Sequence, residues 1–156
     1  MPSADIIKIS LDEKSILRRS ADIEHERKVA IFDLLEENQF ELTEGPGGPF
    51  DVVLTLQDSR LVLKVRDKDE QPVDDISLEI RPFRRIVKDY FLVCESYFNA
   101  IKTASPSQIE AIDMGRRSLH DEGSVLLRER LKSKVDMDDN TARRLFTLFC
   151  VLHLRG

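Results

Sequence analysis

The sequence contains no tryptophan, only two cysteines and two tyrosines, and six each of glycine and proline in 156 residues. Two cysteines are too few for a disulfide-stapled fold, and a chain of this length can bury roughly 70% of its unfolded surface without staples or a structural metal. Scarce Gly and Pro, with 34% charged residues of both signs and a net charge of -5, exclude collagen-like and wholly disordered chains. Nowhere do the roughly 18 uncharged apolar residues of a membrane span follow one another. The longest apolar stretch, Leu145 to Leu154, is interrupted by Thr147 and His153. No basic-then-apolar leader opens the chain, and Cys94 and Cys150 lie among apolar residues at helical spacing. The reading is a cytoplasmic protein with reduced, buried thiols.

Charge is unevenly spread. Residues 1–78 carry 10 Lys+Arg against 18 Asp+Glu, and residues 79–156 carry 14 against 11. An acidic chain argues against non-specific nucleic-acid binding, which needs a broad cationic face, and leaves only a local basic patch as a route to it.

Hydrophobic periodicity divides the chain into a sheet-rich part, 1–81, and a helical part, 82–156, read together as one α+β domain. Ile7, Ile9 and Leu11 alternate with polar residues as in a half-buried strand. From Ser20, a candidate N-cap, Ile23, Ala30, Ile31, Leu34 and Leu35 form a helical stripe to about Asn38. Glu13 to Arg19 reads either as a separate helical turn or as part of that helix. The runs Phe50-Val52-Leu54-Leu56 and Leu61-Leu63-Val65 flank Asp58-Ser59 as a hairpin, and Ile76, Leu78 and Ile80 add a third strand. The expectation is a three- to four-stranded antiparallel meander with helices packed on one face and a mostly solvated opposite face. On that outer face Val53 and Val62 suggest self-association as a homodimer.

After Pro82 the pattern is helical. A stripe from Phe83 to Ile101 includes Tyr90 and Cys94, and Ser105-Pro106-Ser107-Gln108 is a capping box. The helix it opens is expected to weaken or break at His120-Asp121-Glu122-Gly123. A last helix from about Thr141 is apolar nearly all round, hence buried all round.

The run Arg81-Pro82-Phe83-Arg84-Arg85-Ile86-Val87-Lys88-Asp89-Tyr90-Phe91 carries a resemblance. So do Glu110 to Arg117 with Leu119-His120 and Glu122-Gly123, Thr141 to Phe146, and Cys150 to His153. With Arg18 to Asp22 and Glu24 to Arg27, these resemble an uncharacterised protein family of alphaproteobacteria. The resemblance covers nearly the whole chain. It implies a bacterial cytosolic protein and transfers no catalytic or binding residue.

Strong motifs are missing. The Gly45-Pro46-Gly47-Gly48-Pro49 loop lacks the successive N–H donors and following Lys of a phosphate loop, and there is no G-x-S-x-G elbow. No H-x-x-x-H or H-E-x-x-H pattern is present, so no metal or cofactor is expected. Four arginine doublets remain. Arg84-Arg85 and Arg143-Arg144 are expected in first helical turns, where the dipole disfavours cations. With Lys88, Arg116 and Arg117 they are the candidate anion-binding set. The alternative role for these arginines is docking onto the acidic half through Asp22, Glu24 and Glu26 or through Glu36 and Glu37. The functional reading is a binding or regulatory module acting through a protein partner or a phosphate-bearing ligand. The second reading is an enzyme acting on an anionic metabolite, with His120 as general base and Asp113 or Glu122 orienting it.

Overall fold

The computed structural model describes residues 5–12 and 21–152, with side chains in the first helix described from residue 24 onward. Ser20, Arg18-Arg19, the 13–19 segment and His153 lie outside the described residues, as does the Asp22 side chain. In chain order the elements are β1 (Ile6–Leu11), α1 (Ala21–Glu36), β2 (Phe40–Leu42), β3 (Phe50–Gln57), β4 (Arg60–Arg66), β5 (Pro72–Glu79), α2 (Arg84–Thr103), α3 (Pro106–Leu131), β6 (Val135–Met137) and α4 (Asp139–Leu152).

Period-2 alternation builds the sheet as expected. β3 and β4 pair antiparallel from Asp51 opposite Arg66 to Gln57 opposite Arg60, and Asp58 takes the left-handed φ of 56° that the tight turn needs. β5 pairs antiparallel with β4, and Ile76, Leu78 and Ile80 are all buried. The fold is α+β with the helices mostly C-terminal, but the sheet is mixed. β1 joins the edge beside β3 and runs parallel to it, in the order β1-β3-β4-β5. The physical reason lies between the strands: α1 and β2 intervene, and a helical crossover returns the chain in the same direction, whereas a short turn reverses it.

The outer face is less solvated than expected. Thr55 is buried and its hydroxyl donates to Asp12 at 3.0 Å; Asp51 is buried and accepts from Arg66 at 2.6 Å. Val62 is buried and Val53 half-buried, so this pair offers no open apolar patch. A second, two-stranded sheet pairs β2 with β6 in antiparallel register. Three-residue strands show no periodicity, and their partners lie 97 residues apart at Phe40 and Met137.

Asn38 ties α1 to the sheet. Its Oδ1 accepts from the Ile6 N–H at 2.8 Å, and its Nδ2 donates to the carbonyls of Ile6 and Leu34 at 2.9 and 2.8 Å. The side chain thus completes part of the open edge of β1. Asn38→Ala should destabilise the protein by about 2 kcal/mol, because it strands the buried Ile6 N–H and C=O. Chemical denaturation of the two proteins measures this; a midpoint shift worth only a few tenths of a kcal/mol would show that water replaces the amide.

α3 has no break. Its capping box at Ser105 and Gln108 forms as the sequence predicts, and the helix then continues through Gly123 to Leu131. Glycine serves packing here. A Cβ on Gly123 would stand 2.1 Å from Cζ of Phe146, so the absent side chain is what lets α3 and α4 approach. α4 packs against α1, α3 and β3, and residues Leu148 to Leu152 are all buried, which is why that helix carries apolar residues on every face.

Candidate functional site

The start of α2 is positioned by one buried ring. Arg81, Pro82 and Phe83 form a single tight helical turn after β5, and the fully buried Phe83 packs edge-on against Phe149 at 4.8 Å. α2 then begins at Arg84, with Val87, Tyr90 and Cys94 facing the core. Helical spacing turns Arg84, Arg85 and Lys88 outward, and all three are exposed. Arg85 reaches Asp89 at 3.8 Å with its side chain 93% exposed. Arg84 and Lys88 form no ion pair among the described residues. The first turn of α2 holds no acidic residue and has no side-chain cap.

The remaining arginines are engaged. Asp113 holds two of them: Oδ1 accepts from Arg116 at 2.5 and 3.0 Å, and Oδ2 lies 3.3 Å from Arg117. The Arg116 guanidinium also lies over the Tyr97 ring at 4.9 Å, a cation–π contact. Arg143 pairs with Asp121 across the α3–α4 interface. Arg144 lies 3.9 Å from Asp33 and donates to the Asn140 carbonyl.

Pairing is therefore mostly local to the helical half, where residues three and four apart share a face. Of the candidate set, only Arg144 reaches the acidic half among the described residues, and it does so at Asp33 rather than at the residues expected. It sits in a cleft of ≈ 400 Å³ lined by Asp33, Glu36, Glu37, Asp138 and Asn140.

The doublets also occupy different helical positions. α4 begins at Asp139, so Arg143 and Arg144 fall in its second turn, past the reach of the dipole that the sequence reading placed them in. Phe83, beside Arg84, packs at Phe149, six residues beyond Arg143 along α4. That is about 9 Å of helix rise, which sets the α2 start apart from the second doublet.

His120 lies inside the helical layer. Its ring packs between Tyr90 at 5.5 Å and Phe146 at 5.3 Å. Nε2 is 2.7 Å from the Thr147 hydroxyl, and Nδ1 is 3.4 Å from the Ser124 hydroxyl, which itself donates to the His120 carbonyl. Burial first, then the nearby Arg143 charge, lowers its pKa to about 4 and leaves the imidazole neutral at pH 7. Among the described residues no hydrogen bond joins His120 to Asp113 or Glu122. Asp113 is committed to two arginines, and Glu122 is exposed. A neutral imidazole suits a base, but both ring nitrogens already face hydroxyls within the protein.

The thiols sit in the same layer. Burial pushes the Cys94 pKa up to about 11 and likewise raises Tyr90 and Cys150 well above their ordinary values. These groups stay protonated at neutral pH and are poor nucleophiles. No cluster of His, Cys, Asp and Glu among the described residues could hold a metal, and no described helix is long and apolar enough to cross a membrane.

Sequence reasoning missed Thr147, Ser124 and Tyr90 as neighbours of His120. Ser124, four residues on, was within reach of helical spacing; Thr147, 27 residues on, required the packing of α4.

Comparison with known proteins gives a consistent result. A family model described as an uncharacterised protein family, UPF0262, matches residues 3–155. A UPF0262 protein of Rhodospirillum rubrum is 58% identical over 151 residues, covering 97% of this chain and 93% of the relative. A UPF0262 protein of Xanthobacter autotrophicus is 57% identical over 156 residues, covering 99% and 95%. One of Brucella anthropi is 53% identical over 157 residues, covering 100% and 98%. No solved structure matches the chain.

Proposed function

The chain belongs to the UPF0262 family, and from that premise we propose that it is a cytoplasmic binding or regulatory module that takes a phosphate-bearing ligand or a protein partner at the cationic start of α2. One observation carries the reading. Arg84 and Lys88 are exposed and form no ion pair among the described residues, at a helix start with no compensating carboxylate, while Arg116, Arg117 and Arg143 are held by local acids. A cation in the first turn, as Arg84 is, costs up to about 1 kcal/mol against the dipole, a cost that a bound anion offsets, and Lys88, one turn on, adds a second positive charge on the same face.

Replacing Arg84, Arg85 and Lys88 together with Ala should not destabilise the protein by more than about 0.5 kcal/mol, since all three are exposed, and removing the first-turn arginines relieves their repulsion by the dipole. Binding should change much more. In calorimetric titration with pyrophosphate, the wild-type protein should bind with an affinity that falls as salt rises, and the triple variant should bind at least about tenfold more weakly. Equal pyrophosphate affinity in the two proteins would sink the ligand arm. Retention of host partners, measured beside stability, tests the protein arm: loss only in step with unfolding would make the three residues structural.

A further inference from the structure

β5 is an outer strand of the four-stranded sheet, and among the described residues no strand pairs with its far side. Along an antiparallel strand the hydrogen-bonding groups alternate sides. The Ile80 N–H donates to the Ser59 carbonyl at 3.2 Å. The register carries that parity to Leu78 opposite Leu61 and Ile76 opposite Leu63. The main-chain N–H and C=O groups of Asp75, Ser77 and Glu79 therefore point away from β4, and among the described residues nothing bonds to them.

The side chains of this edge carry a pattern of their own. Asp74 and Asp75 are both exposed and form no ion pair among the described residues, whereas Glu79 lies 3.8 Å from Arg60. Neighbouring residues of a strand face opposite sides, so Asp74 falls on the side of the buried Ile76 and Leu78, and Asp75 on the side of Ser77. A second copy of β5 would bring these carboxylates together, and Pro72 removes a donor at the start of the strand. Edges guarded in this way resist indiscriminate pairing. The same charges that turn away an acidic or identical strand select a basic one.

We propose that the β5 edge accepts, by strand addition, an extended segment of a partner protein with two consecutive Lys or Arg residues. One basic side chain lies beside Asp75 on the outer face, and the next lies beside Asp74 on the inner face. The free main-chain groups of Asp75, Ser77 and Glu79 supply the hydrogen bonds of the added strand. This surface is independent of the cationic start of α2.

The test uses the full chain and a labelled peptide of about ten residues, alternating Val and Thr around a central Lys-Arg pair. Fluorescence anisotropy should rise saturably, and amide exchange at Asp75, Ser77 and Glu79 should slow on binding. D74K/D75K should weaken binding at least tenfold, as should N-methylation of the peptide at alternate positions on its hydrogen-bonding side. The R84A/R85A variant should bind the peptide as the wild type does. No saturable binding, equal binding of the N-methylated peptide, unchanged exchange at the three amides, or preference for a Glu-Glu peptide would each overturn the proposal. Should D74K/D75K fail to fold, the N-methylated peptide and the exchange measurement on wild-type protein decide it alone.

Discussion

Lowering the pH from 7 to 4 should cost the native protein about 3 kcal/mol through His120 alone. The folded pKa of this imidazole is about 4, whereas that of a solvated histidine is near 6.5. Between those values the unfolded chain takes up a proton that the native chain does not, so stability falls as pH falls across that window. Above pH 6.5 both states are neutral and the residue contributes no slope; below pH 4 both are charged and its loss is complete. The cause is the position of the ring between Tyr90 and Phe146, near Arg143. Carboxylates also titrate on the way down, so the measurement compares wild type with His120→Gln, whose amide can still meet the Thr147 hydroxyl without titrating. Urea midpoints at pH 7 and 4.5 should converge for the two proteins as pH drops. Parallel pH dependences would mean that the native state accommodates a charged imidazole, and the account of its burial would be wrong.

Gly123→Ala should destabilise the protein by more than about 3 kcal/mol or prevent folding, although alanine is the better helix former by about 1 kcal/mol. The added methyl would lie 2.1, 2.4 and 2.5 Å from three ring carbons of Phe146. That ring cannot swing aside. It is fully buried and packs edge-on against His120, Tyr90 and Phe149. α3 would have to move off α4, opening the interface that also holds the His120–Thr147 and Arg143–Asp121 contacts. A double-mutant cycle makes the claim specific. Phe146→Leu alone should destabilise by leaving a cavity, but it should partly rescue Gly123→Ala, giving a coupling energy of at least about 1 kcal/mol. Strictly additive effects would locate the clash elsewhere, and a neutral or stabilising Gly123→Ala would refute it outright.

The two experiments meet in one place. His120, Ser124 and Gly123 sit on one stretch of α3, and Phe146 and Thr147 sit on the facing stretch of α4. This seam forms the interior of the helical layer. The exposed cations at the α2 start and the exposed carboxylates on β5 lie on either side of the short turn at Arg81–Phe83.

Much of this was legible in the sequence because it is local. Alternation of period 2 marked β3, β4 and β5, and the stripe of α2 and the capping box at Ser105 followed from helical spacing and side-chain reach. The all-apolar α4 announced its own burial. Spacing of three and four residues also permitted the Arg116–Asp113, Arg117–Asp113 and Arg85–Asp89 pairs, although the sequence reading assigns these arginines to an anion or to the acidic half and Asp113 to His120.

Only the tertiary structure decided what depends on residues far apart in the chain. Strand direction depends on the route of a connection, and the α1 crossover made β1 parallel to β3. Three-residue strands β2 and β6 exist only because each finds the other. Gly123 reads as a helix breaker when propensity alone is considered. Its cost there is about 1 kcal/mol, less than the packing gained when Phe146 fills the space a side chain would have taken. His120, likewise, reads as a base beside carboxylates along the chain. Folding instead turned it inward, against two hydroxyls and two aromatic rings, because a helix places successive residues about 100° apart and only the neighbouring helix determines which direction is the interior.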